Sequence, residues 1–137
     1  MAGGVEYYDI QRRERMTLQE ILEKCAGLRI DQEICNNELY VELVFFSEEI
    51  ERWQEVFTEV FGPAIKLSGV EPTEEHLNLT KNYGGVLGGI LSDQTLFEKT
   101  FNGCTIIAMF WPWHSYTEED EEGKVTLKMA VLRKVKC

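Results

Sequence analysis

Between Ser47 and Pro63 the large apolar residues fall at Ile50, Trp53, Val56, Phe57, Val60 and Phe61, spaced by three and four, and Gly62-Pro63 ends the run. That spacing gathers them along one side of a helix and leaves the charged residues on the other. A helix with a Trp and two Phe on one side must lie on an apolar surface, so whatever flanks it has to supply a sheet or a second helix. Ser47 is placed to cap this helix, with Glu48 and Glu49 in its first turn, where the helix dipole favours negative charge.

The flanking segments change period. Leu39 to Phe46 reads as a strand buried largely on both faces, and Ala64 to Val70 reads as a second one. Pro72 with Thr73-Glu74-Glu75 forms the turn or short helical loop that follows. His76-Leu77-Asn78-Leu79-Thr80 alternates with period two and is a third candidate strand, although the same residues suit a short helix after Pro72. Beyond the glycine-rich stretch Tyr83 to Ile90, Ser92 or Asp93 starts a helix carrying Leu96, Phe97, Thr100 and Phe101, and Asn102-Gly103 closes it as a turn. The C-terminal part reads as a hairpin. Cys104 to Trp111 is densely apolar, while Val125, Leu127, Met129 and Val131 alternate with Lys124, Thr126, Lys128 and Ala130, so one face of the last strand meets the core and the other meets water. Glu118 to Glu122 with Gly123 forms the loop between the two.

Upstream, Thr17-Leu18-Gln19-Glu20 has the capping-box form, Leu18, Ile21, Leu22 and Cys25 share a helical side, and Gly27 is the expected stop. Leu28 to Glu38 is polar, with Asn36-Asn37 as a turn. Residues 1–15 mix charge, Gly, Tyr7 and Tyr8 without periodicity and read as an N-terminal arm, with residues 16–137 as a single domain.

The fold class is therefore α+β: an antiparallel or mixed sheet of four to five strands, with helices packed mainly on one face. Without the first helix and the last strand, the element order is that of the split β-α-β motif of ferredoxin-like folds. A chain of 137 residues with 44% hydrophobic and 28% charged residues is long enough for one such core.

Charge and composition exclude several functions. With 24 acidic and 14 basic residues the formal net charge is −10, which repels a phosphate backbone, so no nucleic-acid partner is expected. No apolar run approaches the roughly 18 residues that cross a bilayer, so no membrane partner is expected either. The first residues lack a basic region followed by an apolar stretch, which leads to the expectation of a cytoplasmic protein without a secretory signal. The four cysteines are far apart and form no C-x-x-C pair, so no metal or cofactor is expected, and Cys25 and Cys104 read as free thiols packed in the interior.

Two stretches are candidates for a site. Gly84, Gly85, Gly88 and Gly89, after Tyr83, could offer backbone N–H groups to an anion, although their spacing matches neither phosphate-binding signature. Trp111-Pro112-Trp113-His114 places two indoles and an imidazole at a strand end, where aromatics line pockets or anchor partners; the competing reading has Trp111 continuing the buried face and Trp113 covering the core's edge. His76 and His114 have no metal-ligand spacing, and Cys25 and Cys104 sit in apolar surroundings that suppress a thiolate. The sequence thus leads to a non-catalytic binding or interaction domain that self-associates. The alternative is a small enzyme or sensor that binds an anionic or aromatic small molecule between Gly84–Gly89 and Trp111–His114.

Overall fold

The computed structural model describes residues 16–81, 90–113 and 123–133. In chain order these form helix α1 (Leu18–Lys24), strands β1 (Gln32–Asn36) and β2 (Tyr40–Phe46), helices α2 (Ile50–Phe61) and α3 (Glu74–Lys81), and strands β3 (Thr95–Phe101), β4 (Cys104–Pro112) and β5 (Lys124–Arg133). The strands make one sheet in the order β1-β2-β5-β4-β3, and every neighbouring pair is antiparallel. The class is α+β. The ferredoxin-like arrangement is not confirmed: a split β-α-β unit sets a third strand between two parallel ones, whereas here the strands joined through α2 and α3 run antiparallel with two strands between them.

The helix that anchors the sequence pattern is present as expected. Trp53, Phe57, Val60 and Phe61 are buried on the sheet, each adding about 1.5–3 kcal/mol by burial, and Gly62 takes a left-handed φ of 80° as the chain leaves α2. The start differs. Ser47 opens a short 3-10 turn over Ser47–Glu49 instead of capping α2, because its N–H still bonds the Gly123 carbonyl at the end of the sheet, at 2.9 Å. That approach is tight, since a Cβ on Gly123 would run into Ser47 Oγ. At α1 half of the capping box is as read: Thr17 Oγ1 accepts from Glu20 N–H at 3.1 Å, while the Glu20 carboxylate accepts from the Thr17 hydroxyl at 3.2 Å, and Gly27 turns the chain with a φ of 96°.

Three expectations are corrected, and the choice between strand and helix at His76 to Thr80 falls to the helix. Ala64 to Val70 is no strand: only Lys66 bridges to Leu96, and the run is cut by the turn at Ser68-Gly69, where Gly69 has a φ of 91°. His76 to Thr80 belongs to helix α3. Thr73 and His76 fix that helix's start reciprocally, Thr73 N–H donating to His76 Nδ1 and His76 N–H to Thr73 Oγ1. Thr95 to Phe101 is strand β3, not a helix. Asn102 and Gly103, with φ of 47° and 85°, form the two-residue turn that hairpins require, and a helix pattern of short length could not be told from a strand buried on both faces. Finally, Leu28 to Glu38 contains β1, which shows no apolar alternation because it lies at the sheet edge, largely exposed.

The sheet separates two apolar clusters. One face carries Val41, Leu43, Phe45, Phe97, Ile106, Phe110, Val125 and Leu127 against α1 and α2. The other carries Leu96, Ile107, Met109 and Ala130, joined by Ile90, Leu79 of α3, Trp111, Tyr40 and Leu132. The expectation that the second face of β5 meets water is thus half right: Ala130 is buried and Thr126 nearly so, while Lys124 and Lys128 remain partly exposed.

Candidate binding surface

The second face of the sheet is assembled by strand register. Pairing sets Thr126 between Trp111 and Val44, Lys128 between Met109 and Glu42, and Ala130 between Ile107 and Tyr40. Residues that alternate along β5 therefore interleave cations with the aromatics of β2 and β4. Lys128 Nζ lies 4.1 Å from the Trp111 ring centre, Lys124 Nζ lies 5.6 Å from Trp113 and 5.9 Å from Phe46, and the Arg29 guanidinium lies 4.1 Å from Phe46. Such stacking adds about 0.5–2 kcal/mol per contact, depending on how dry it is.

Carboxylates complete the pattern. Lys124 pairs with Asp31 at 3.1 Å, Arg29 meets Glu48 at 3.5 Å, and the Tyr40 hydroxyl donates to Glu42 Oε1 at 2.6 Å. Burial lowers the Lys128 pKa, and the charge of nearby Glu42 opposes that shift. Burial, followed by the bond to Glu42, raises the Tyr40 phenol well above its ordinary range, so it stays protonated as a donor.

The two indoles differ. Trp111 is partly buried in the second cluster with a lysine over its ring. Trp113 is 50% exposed, yet its Nε1–H donates to Thr126 Oγ1 at 2.6 Å and its backbone N–H bonds the Lys124 carbonyl at 2.8 Å. Its polar atom is satisfied within the fold, which leaves an immobilised apolar ring turned partly to solvent. Neither indole joins the aromatic core around Trp53, so Trp111 continues the second face and not the main interior.

Of the other sequence candidates, Tyr83, Gly84, Gly85, Gly88, Gly89 and His114 lie outside the described residues. Their flanks do converge, since Leu79 and Ile90, on either side of the glycine stretch, share the apolar cluster of Trp111. Beside Ile90 a cavity of about 380 Å³ is lined by Glu71, Pro72, Leu91, Ser92 and Asp93. Behind it lies a residue that sequence reasoning missed. Lys66, 2% exposed, donates from Nζ to the carbonyls of Leu67, Ser92 and Gln94 at 3.1, 2.8 and 2.6 Å. Burial lowers its pKa, while Asp93 and Glu71 act the other way. No local pattern marks a lysine for burial, because two of the three carbonyls, those of Ser92 and Gln94, come from a segment 26 to 28 residues away.

The remaining chemical groups are occupied. Burial pushes the Cys25 thiol up to about 12. Cys104 is disulfide-bonded and not the free thiol expected; a strand's apolar pattern says which way a thiol faces, not whether it meets another. Among the described residues no group of three His, Cys, Asp or Glu could hold a metal ion, and no helix is long and apolar enough to cross a membrane. No protein-family model matches the chain, and neither a curated protein nor a solved structure does.

Proposed function

We propose that this chain is a non-catalytic binding domain that self-associates and offers the second face of its sheet as a recognition surface, with Trp113 as the anchor. The observation that carries this reading is the half-exposed Trp113 ring, locked by its 2.6 Å bond to Thr126 beside Lys124. Fixed aromatic side chains with satisfied polar atoms lose little entropy on binding, and they recur at the centres of interfaces. A non-catalytic role is supported by the state of the nucleophile and base candidates: Cys25 is held as a thiol, Cys104 is tied up, and His76 serves the start of α3.

Light scattering after size-exclusion chromatography, from about 1 to 500 μM, tests self-association by the mass it reads. A monomer across that range removes it.

A second reading, in which the surface takes an anionic or aromatic small molecule, is favoured by the alternation of Trp111, Lys128, Trp113 and Lys124. An anilinonaphthalene sulfonate, which is both aromatic and anionic, serves as the probe. It should bind saturably, with quenching of tryptophan emission, and Trp113→Ala should weaken it by about tenfold, or roughly 1.4 kcal/mol. Equal binding to the variant would place the probe elsewhere and end this reading.

A further inference from the structure

The chain holds four cysteines, Cys25, Cys35, Cys104 and Cys137. Cys25 and Cys35 are free thiols, whereas Cys104 is disulfide-bonded. Cys137, which lies outside the described residues, is the one cysteine of the chain left to pair with it.

Strand geometry agrees with that elimination. Across the sheet, Cys35 stands beside Glu42, Glu42 beside Lys128, and Lys128 beside Met109. Cys35 is therefore level with Met109 and not with Cys104, and the three steps between β1 and β4 add up to about 14 Å, where a disulfide needs α-carbons within about 7 Å. Cys104 is paired instead with Arg133, the last residue of β5, at the roughly 5 Å of an antiparallel pair. From Arg133 to Cys137 the chain can span at most about 14 Å, which is more than enough to turn back to Cys104.

A bond at this point falls where β5 is held least. β2 accompanies β5 from Lys124 only as far as Ala130, and beyond it the Val131 N–H donates to the Leu39 carbonyl at 3.0 Å. For Leu132 and Arg133, β4 is the sole neighbouring strand among the described residues. Cys104 shares its side of β4 with Ile106, Ala108 and Phe110, away from Trp111, so the bond leaves the Trp113 face open.

We propose that Cys104 and Cys137 form a disulfide within one copy of the chain, a redox clasp that fastens the Arg133 end of β5 to the start of β4 and is released by reduction. Closing it takes two protons and two electrons from the two thiols, which a small disulfide such as oxidised glutathione accepts as it becomes two thiols; opening runs the same exchange backwards. The covalent loop encloses β4 and β5, so the oxidised chain has less freedom to gain on unfolding than the reduced one. The clasp requires no self-association.

Alkylation and peptide mapping test the bond. The whole chain, unfolded in denaturant without reductant, should take up an alkylating reagent at Cys25 and Cys35 alone, and at all four cysteines after reduction. Cleavage after glutamate should release Lys99–Glu118 joined to Gly123–Cys137. When equal amounts of 15N-labelled and unlabelled chain are reduced, mixed and refolded with oxidised glutathione, each joined pair should carry a single isotope. Thermal unfolding and amide exchange test what the bond does. Reduction should lower the wild-type midpoint by roughly 10 °C, Cys137→Ser should show the lower midpoint with or without reductant, and Cys35→Ser should respond as wild type does. Exchange at Leu132 and Arg133 should quicken on reduction while that of Leu127 holds. Four reactive thiols before reduction, a Cys104 peptide joined to any cysteine but Cys137, or pairs of mixed isotope would overturn the clasp. A Cys104–Cys137 link whose reduction moves neither midpoint nor exchange would overturn its fastening of β5.

Discussion

The two faces of the sheet are held by different physics. On the α1 and α2 side, rings pack on rings: Phe45 stacks on Trp53 at 4.5 Å between centres, Phe57 meets Phe110 at 5.1 Å, and Phe97 touches Phe57, Phe61 and Phe110 at 5.6–5.9 Å. No single contact decides this face, because dispersion and burial are spread over many atoms. On the other side a smaller apolar cluster is completed by specific polar contacts: the Lys66 clamp, the bond of Trp113 to Thr126 and the lysines over Trp111 and Trp113. The first face tolerates loss by degrees, whereas the second depends on individual bonds.

That contrast is open to direct attack. The largest loss should follow Phe57→Ala, which removes a ring in contact with Trp53, Phe61, Phe97 and Phe110 and should cost about 3–5 kcal/mol in urea unfolding. A cost under about 1 kcal/mol would mean that the first face is not the principal core. Lys66→Met comes next: it removes the ammonium that three carbonyls share, and although Leu67 and Ser92 keep the backbone donors Val70 N–H and Gly69 N–H, about 1–3 kcal/mol should go while the apolar volume is nearly kept. If the methionine variant were as stable as wild type, the second face would be held by burial like the first.

A pH series probes the first face through Cys25. Its folded pKa of about 12 lies above the ordinary 9.0, so between these values the unfolded chain has released a proton that the folded chain keeps. The stability from this thiol is complete below about pH 9 and is lost as pH rises towards about 12. Thermal midpoints of wild type and Cys25→Ala should therefore converge as the solution becomes alkaline, and parallel curves would contradict a buried thiol. The smallest stability effect belongs to Trp113→Ala, at or below about 1 kcal/mol, because half of that ring already meets water. A loss as large as that of Phe57→Ala would make Trp113 a core residue and remove the recognition surface.

The same division explains what could be read in advance. The α2 helix, β2, the α1 cap and the β4–β5 pair were legible because periodicity reports which residues must leave water. β3 reads as a helix because Leu96, Phe97 and Phe101 suit either period over a short run; Asn102-Gly103 is the turn its sequence suggests, but it joins two strands. β1 was missed because an edge strand exposed on both faces has no apolar alternation to show. Trp111 and Trp113 stood out by residue type alone. Lys124, Thr126 and Lys128 did not, since their meaning depends on the strands that lie beside β5.

Local pattern by itself determined that the chain folds as helices on a sheet, and that Trp53 and Phe57 face inward, because burial of an amphipathic side depends only on neighbours three and four residues away. Tertiary structure alone decided the strand order, the bridge of Lys66 to Leu96 beside β3, and the burial of Lys66 by the carbonyls of Leu67, Ser92 and Gln94. These are pairings between segments 28 residues apart for Lys66 and Gln94 and 90 apart for Tyr40 and Ala130, and their free energy exists only once the backbone groups of both have been brought together.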